Sequence, residues 1–290
     1  MEDADAALYA AIRAHVDGSP EPAIDAARQA ATLAPEREFP RQLVRYLDTT
    51  ADRADVYAAP EAFRSYIRGG GNIQLYQATS AALRAAQQRW PGRLLDIGVG
   101  DGLALLPALT DRVTGVDLVE PSTELLGKTV TALTERGIEH RAFYSGIGEF
   151  IRQHGNERWA LTEATFALQS LPPAEWLETL SWIRAHSDAL VLTEFDCETE
   201  EQPFESAWFA DFLRRVERGL LEYDADRELV AQGFILPVLL GKFTASGART
   251  NWEQPIEAWC EQLRSAGFAE VRATKLDDYW WRPAYLVEAS

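Results

Sequence analysis

A glycine-rich turn directly after a hydrophobic run constrains the fold of this chain more than any other feature. The segment reads Leu94-Leu95-Asp96-Ile97-Gly98-Val99-Gly100-Asp101-Gly102, and a helical pattern follows from Leu103. Glycines at such a turn let the backbone come close to a ligand, and the start of a helix offers backbone amides without a partner inside the helix. The segment therefore predicts a strand, a tight turn and a helix, with a ligand bound at the turn.

Short apolar runs and amphipathic runs alternate along the following sequence. The predicted strands are 93–97, 116–119, 139–143, 160–165 and 189–195, and the predicted helices between them are 103–109, 122–135, 148–154 and 174–186. This alternation favours a parallel sheet covered on both faces. A helix over 256–266 precedes two more strands, 270–276 and 284–288. Only a short loop joins these two, so they should form an antiparallel hairpin.

Helical segments precede and interrupt the predicted sheet. The predicted helices lie within 4–68, over 79–90 and over 204–221, and an apolar loop segment is predicted at 234–240. Within 4–68 the fourth helix starts at Pro60 and stops at Gly69-Gly70-Gly71. We expect residues 1–90 to form a helical cap on a main domain of residues 91–290. Residues 197–250 should form a lid, with 69–76 as the opposing hinge.

The charge balance argues against a nucleic-acid partner. The chain carries 28 basic and 45 acidic residues, a net charge of −17, and such a surface repels phosphate backbones. No apolar run is long enough to cross a membrane, and the acidic start, Met1-Glu2-Asp3, is not typical of an export signal. The two cysteines and four histidines show no metal-ligand spacing. We expect a cytoplasmic protein without a metal that acts on a small molecule.

Leu103 and Asp96 help to identify the ligand. A dinucleotide-binding turn needs a third glycine where this chain has Leu103. Asp96 would repel a pyrophosphate but suits a ligand with an ammonium group and a sulfonium. A carboxylate at the end of the next strand could accept both hydroxyls of a ribose, and Glu120 and Asp117 both qualify. Glu120 is the favoured candidate because it stands at the strand's carboxyl end, before Pro121.

The glycine segment, the Glu120-Pro121-Ser122 turn and the C-terminal hairpin resemble the class I S-adenosylmethionine-dependent methyltransferases. This resemblance implies a Rossmann-like, doubly wound α/β fold with a seven-stranded, mostly parallel sheet, and S-adenosyl-L-methionine as the cofactor. The residues that it implies for cofactor binding are Tyr76, Asp96, Gly98, Gly100, Asp101, Gly102, Glu120, Pro121, Ile147 and Thr165. Ile147 would flank the adenine, in place of the usual Asp or Asn.

The same resemblance places the methyl acceptor over the loop that follows the fourth strand. The candidate acceptor-pocket residues are Phe166, Gln169, Asp196, Trp208 and Phe209, and the candidate catalytic residues are Tyr76, Gln169 and Glu194. Ordinary helix packing is the alternative for Trp208 and Phe209. Glu194 and Asp196 could instead be surface carboxylates, and Tyr76 part of a flexible connector. The expected acceptor is a small aromatic or apolar metabolite. The alternatives are a regulator that binds the cofactor without transferring methyl and, less favoured, an NAD-dependent oxidoreductase.

Overall fold

The computed structural model describes residues 3–49, 60–154, 156–198, 204–243 and 251–290. The chain divides into two compact units. The helical unit comprises residues 1–73 and 200–248, and the sheet unit comprises residues 74–199 and 249–290. Parts of the predicted lid, 199–203 and 244–250, lie outside the described residues. The predicted cap and lid stay predictions.

Regular elements of the described residues follow the predicted order. The strands are β1 (Gly92–Ile97), β2 (Val113–Val119), β3 (His140–Phe143), β4 (Trp159–Thr165), β5 (Ser187–Phe195), β6 (Val271–Asp277) and β7 (Ala284–Ala289). The α-helices are α1 (Asp3–Val16), α2 (Pro20–Leu33), α3 (Glu38–Thr49), α4 (Pro60–Arg68), α5 (Asn72–Arg89), α6 (Leu105–Ala108), α7 (Thr123–Glu135), α8 (Ile147–Gln153), α9 (Pro173–His186), α10 (Ser206–Leu221), α11 (Arg227–Val230), α12 (Leu236–Gly241) and α13 (Ile256–Ser265).

The sheet has the order β3-β2-β1-β4-β5-β7-β6. The first five strands are parallel, and β7 runs antiparallel to both β5 and β6. The predicted seven-stranded sheet with an antiparallel C-terminal hairpin is therefore confirmed. Strand β1 is the middle one of the five parallel strands, and the strand order reverses between β1 and β4. The carboxyl end of β1 is therefore at the switch point at which open α/β sheets bind ligands.

Two hydrophobic cores cover the sheet. On one face, Leu94 and Leu161 pack with residues of α5, α6 and α7. On the other, Leu95 and Trp159 pack with residues of α8, α9 and α13. The alternation of side chains along a strand assigns neighbours to opposite faces. Burial on both faces leaves little room for polar side chains within the central strands.

The helical unit has an aromatic core. Phe209 and Phe212 on α10 are buried, and Phe243 lies 5.1 Å from Phe212 between ring centroids. The prediction of an apolar loop at 234–240 was wrong, since this segment continues α11 through a π-turn over 231–235 into α12. The π-helical turn ends two residues before Pro237, which has no N–H to continue an α-helix.

Two other helices differ from their predicted bounds. Helix α5 starts at Asn72 and not at 79. The Asn72 side chain fixes this start, because its Nδ2 donates to the Tyr66 carbonyl at 3.0 Å and to the Tyr223 hydroxyl at 3.2 Å. Helix α6 has four residues, where 103–109 was predicted. In the part of the chain that the structure describes, no helix has the length and hydropathy needed to cross a membrane.

Candidate functional site

The glycine loop leaves the carboxyl end of β1 in a backbone conformation that favours glycine. Gly98, Gly100 and Gly102 have φ of +73°, +57° and +76°. The Gly98 amide donates to the Val119 carbonyl at 2.7 Å, which ties the loop to the end of β2. A Cβ on Gly98 would lie 2.4 Å from the Cβ of Ala167. Gly98 is therefore required by the packing of the sheet unit.

At Gly100 only the positive φ of the backbone favours glycine, because a side chain there would have room. A Cβ at this position would meet no other atom within 4 Å, so the loop faces open space there. Its carbonyl accepts a hydrogen bond from the Thr129 hydroxyl of α7 at 2.9 Å. Thr129 therefore fixes the loop backbone, while the Gly100 Cα side of the loop stays open for close approach of a ligand.

Glu120 lies against this loop. Its Oε2 accepts from the Gly100 amide at 3.1 Å, and its Oε1 accepts from the Ser122 amide at 2.8 Å. A carboxylate has about four acceptor positions, so two more stay available on a side chain that is 8% exposed. Glu120 is placed to accept hydroxyl groups from a ligand at the loop. The exposed Pro121 continues this turn toward α7.

Asp117, the other candidate on β2, is engaged elsewhere. Its carboxylate accepts from Arg93 at 2.8 and 2.9 Å, from Arg141 at 2.6 and 2.8 Å, and from the Trp159 indole at 2.7 Å. Burial acts to raise the pKa of Asp117, but these hydrogen bonds outweigh it and hold the pKa at about 2. The structure places Glu120 at the glycine loop and gives Asp117 a structural role between β1, β3 and β4.

Asp96 is buried near the end of β1 and is 4% exposed. Burial raises the pKa of Asp96 to about 8, and the nearby Glu120 charge adds to the shift. Among the described residues, no basic side chain forms an ion pair with it. A cationic group that reached Asp96 would therefore stabilise its ionised form.

Aromatic rings gather at the carboxyl ends of β4 and β5. Phe166 has a φ of +51°, which is rare for a residue other than glycine, and its amide donates to the Thr193 carbonyl at 2.8 Å. Its ring stacks on Phe195 at 4.5 Å, and Phe195 stacks on Tyr279 at 5.5 Å. Tyr76 of α5 meets Phe166 edge-on at 6.3 Å. Tyr76, Phe166 and Phe195 are half-buried, whereas Tyr279 is buried, so this aromatic row keeps some apolar surface exposed.

Polar groups lie beside the row. Glu194 is 1% exposed, and its Oε1 accepts a hydrogen bond from the backbone N–H of Gln169 at 3.2 Å. Burial raises the pKa of Glu194 well above its usual range, and the charge of Glu253 adds to this. The Gln169 amide group donates to the Phe166 carbonyl at 3.3 Å, whereas its Oε1 is buried with no hydrogen-bond partner among the described residues. The Asp196 carboxylate accepts from the Ile256 amide at 2.9 Å at the start of α13.

The remaining candidates occupy different places. Thr165 ends β4 and is half-buried, and Ile147 starts α8 and is 5% exposed. Asp101 is half-buried in the glycine loop. Trp208 and Phe209 belong to α10 in the helical unit, where Trp208 stacks on Phe212 at 5.4 Å and Phe209 is fully buried. Their roles at an acceptor pocket stay predictions.

One polar pair inside the sheet unit was not predicted from the sequence. Glu163 of β4 and Gln87 of α5 are both fully buried, and Gln87 Nε2 donates to Glu163 Oε1 at 3.1 Å. A glutamate inside the apolar run 159–165 was a visible signal. Its partner was not, because only the fold brings α5 onto this strand. The described residues contain no group of three His, Cys, Asp or Glu side chains that could hold a metal ion.

Solved structures share this fold. A magnesium protoporphyrin IX methyltransferase from Synechocystis, with bound S-adenosylhomocysteine, matches with a TM-score of 0.52 at 15% identity, over 84% of this chain and 95% of that chain. A 1,6-didemethyltoxoflavin N1-methyltransferase from Burkholderia thailandensis, with bound 1,6-didemethyltoxoflavin and S-adenosylhomocysteine, matches with a TM-score of 0.50 at 16% identity, over 82% and 91%. A cyclopropane synthase from Mycobacterium tuberculosis matches with a TM-score of 0.50 at 15% identity, over 72% and 83%.

The sequence matches no protein-family model and no curated protein. The structural likeness at these identities shows the fold alone. The chain has the fold of the class I S-adenosylmethionine-dependent methyltransferases, as the sequence predicted.

Proposed function

We propose that this protein is an S-adenosylmethionine-dependent methyltransferase that acts on a small aromatic or apolar molecule. The observation that carries the proposal is the pairing of an open glycine loop at Gly100 with the Glu120 carboxylate, at the carboxyl ends of β1 and β2. The loop suits close approach of a ligand, and the carboxylate suits its ribose hydroxyls. The neighbours' bound S-adenosylhomocysteine supports the same assignment.

The proposed cofactor fits the residues present. Asp96 would face the methionyl ammonium, Glu120 the ribose, and Ile147 the adenine. When bound, S-adenosylmethionine supplies a methyl group on a sulfonium, which is already activated for displacement. The work left to the protein is to position the acceptor and keep water away. Phe166, with its ring on Phe195, would hold a planar acceptor.

Acceptor chemistry follows from the groups beside the aromatic row. Glu194 and Gln169 would orient a polar atom of the methyl acceptor. The Gln169 Oε1 has no hydrogen-bond partner among the described residues, so it could accept a hydrogen bond from an N–H or O–H of that molecule. The net charge of −17 argues for a small molecule and against a nucleic acid. The Burkholderia thailandensis enzyme of the same fold, solved with 1,6-didemethyltoxoflavin bound, supports a small-molecule acceptor.

Glu120→Ala is expected to weaken S-adenosylhomocysteine binding by about 10- to 150-fold. A charged acceptor that bonds two hydroxyls is worth about 1.5–3 kcal/mol. Glu124→Ala is the matched control, because Glu124 is an exposed carboxylate on α7 that pairs with Lys128 at 2.7 Å. Isothermal titration calorimetry compares the variants. Equal affinities for the two would remove Glu120 from the ribose site.

Gly98→Ala is expected to reduce mainly the thermal stability of the protein, and Gly100→Ala mainly its binding of S-adenosylhomocysteine. Both positions have positive φ, which costs alanine about 1–2 kcal/mol. Only Gly98→Ala adds a clash with Ala167, so it should lower the melting temperature more. Gly100→Ala should remain folded but lose S-adenosylhomocysteine binding, because its methyl group fills the open space. Full binding by a folded Gly100→Ala variant would show that the ligand does not approach this loop.

Competing functions are separated by two measurements. Thermal stabilisation by S-adenosylhomocysteine but not by NAD+ excludes the oxidoreductase, which Leu103 already disfavours. A screen of phenols, aromatic amines and indoles for formation of S-adenosylhomocysteine then separates a transferase from a regulator that only binds. Turnover with any of these acceptors supports the proposal. Binding without turnover across the screen favours the regulator.

A further inference from the structure

The buried carboxyl of Glu163 lies next to Asp96. The two residues are register partners on the neighbouring parallel strands β1 and β4, so their side chains emerge on the same face. Neighbouring strands are about 4.8 Å apart, which brings the two carboxyl groups close together. Glu163 is fully buried and Asp96 is 4% exposed. Asp96 is thus the member of the pair that a ligand at the glycine loop can reach.

The hydrogen bonds of Glu163 show which oxygen carries its proton. Its Oε1 accepts from Gln87 Nε2 at 3.1 Å, whereas its Oε2 is buried and has no partner among the described residues. A buried ionised oxygen without a partner is costly, whereas a hydroxyl there is neutral. Burial raises the pKa of Glu163 well above its usual range, with a further contribution from Asp96. Burial and the unpaired Oε2 together favour a neutral Glu163 whose hydroxyl, on Oε2, has no acceptor among the described residues.

The groups around the pair contain no compensating cation. Glu120, at the end of β2, adds negative charge to Asp96. Strand β5 places Val191 beside Glu163, and α5 contributes the neutral Gln87. Within the described ranges, neither Asp96 nor Glu163 forms an ion pair with a Lys, Arg or His side chain. The positive charge that would ionise Asp96 must come from a ligand.

We propose that Glu163 is a positioning residue for the cofactor's methionyl ammonium, which it holds through Asp96. When the ammonium binds, Asp96 releases its proton to solvent and becomes a carboxylate. The Glu163 hydroxyl then donates to that carboxylate and fixes its orientation, while Glu163 keeps its own proton. This inference rests on the proposed cofactor, and it makes cofactor binding a proton-releasing step.

The test is titration calorimetry of the full chain with S-adenosylhomocysteine, in buffers of different ionisation enthalpy. The wild-type protein is expected to release close to one proton per ligand at pH 7, and less as the pH passes about 8, where Asp96 is already ionised. Two variants complete the test. Glu163→Leu removes the donor, and Glu163→Gln keeps a donor for Asp96 and an acceptor for Gln87.

Glu163→Leu is expected to bind S-adenosylhomocysteine about tenfold more weakly at pH 7, the loss that one hydrogen bond to a charged group implies. Its proton release should persist to higher pH, because the Asp96 carboxylate has lost a donor. Glu163→Gln should recover most of the affinity and the wild-type pH profile. The ligand's own amine is common to all titrations, so it cancels from these differences.

Three outcomes are decisive. Binding to wild type without proton release would overturn this inference while leaving the proposed function intact. A Glu163→Gln variant that loses affinity as strongly as Glu163→Leu would also overturn it, because the glutamate would then act as an anion and not as a donor. If Glu163→Leu does not fold, the wild-type and Glu163→Gln profiles still decide. Failure of wild type to bind S-adenosylhomocysteine would instead refute the proposed function itself.

Discussion

Asp117→Ala is expected to lower the free energy of unfolding by about 2–3 kcal/mol, because it removes the charge-assisted hydrogen bonds of a buried carboxylate whose arginine partners are 32% and 41% exposed. The carboxylate joins Arg93, Arg141 and the Trp159 indole, which lie on three different strands. Its loss leaves the buried Trp159 N–H without this acceptor, whereas Arg141 keeps its bond to Glu157. Urea unfolding followed by circular dichroism measures the change. Cofactor affinity should stay near that of wild type wherever the variant is folded, since Asp117 lies away from the glycine loop.

A surface ion pair supplies the control for Asp117. Asp188→Ala removes an exposed carboxylate that meets Arg158 at 3.1 Å and should cost at most about 1 kcal/mol. The pH dependence adds a second check. The pKa of Asp117 is lowered to about 2, so its contribution is present above about pH 4 and is lost as the pH falls through 2. An Asp117→Ala protein as stable as Asp188→Ala would contradict the structural role.

Asp96→Asn is expected to raise stability and to weaken cofactor binding by at least about tenfold. The pKa of Asp96 is raised from its ordinary value to about 8, so its ionisation opposes folding. The carboxyl contributes stability fully below about pH 4, and this contribution is lost as the pH rises toward 8. The asparagine variant has no such loss.

The pH dependence of this difference is the measurement. The gap in unfolding free energy between Asp96→Asn and wild type should widen between pH 5 and pH 8, by up to about 1.4 kcal/mol per pH unit. Calorimetry on the same two proteins gives the affinities for S-adenosylhomocysteine. A gap that is independent of pH would mean that Asp96 is ionised in the free protein. Unchanged affinity would remove Asp96 from the cofactor site.

Local patterns in the sequence predicted the sheet well. Every predicted strand is present within three residues of its observed ends, because a strand buried on both faces reads as a short apolar run. The antiparallel hairpin followed from the short loop between β6 and β7. The glycine loop and Glu120 were also found from the sequence, because both lie within one strand–turn–helix unit or its neighbour.

Side-chain contacts between residues that are far apart in the chain could not be predicted from the sequence. Whether Asp117 or Glu120 faces the loop depends on Arg93 and Arg141, which the fold brings to Asp117 from β1 and β3. The burial of Glu163 was likewise hidden until α5 placed Gln87 against it. Helix α5 starts early because Asn72 bonds to Tyr66 and Tyr223, a contact that local propensity does not contain.

Calorimetric titration of the wild-type chain with S-adenosylhomocysteine and, separately, with NAD+ decides which cofactor the glycine loop binds. We expect saturable binding of one S-adenosylhomocysteine per chain, no binding of NAD+, and loss of the S-adenosylhomocysteine signal in a folded Gly100→Ala variant. A wild-type protein that binds NAD+ but not S-adenosylhomocysteine, or a Gly100→Ala variant with undiminished affinity, would contradict this expectation.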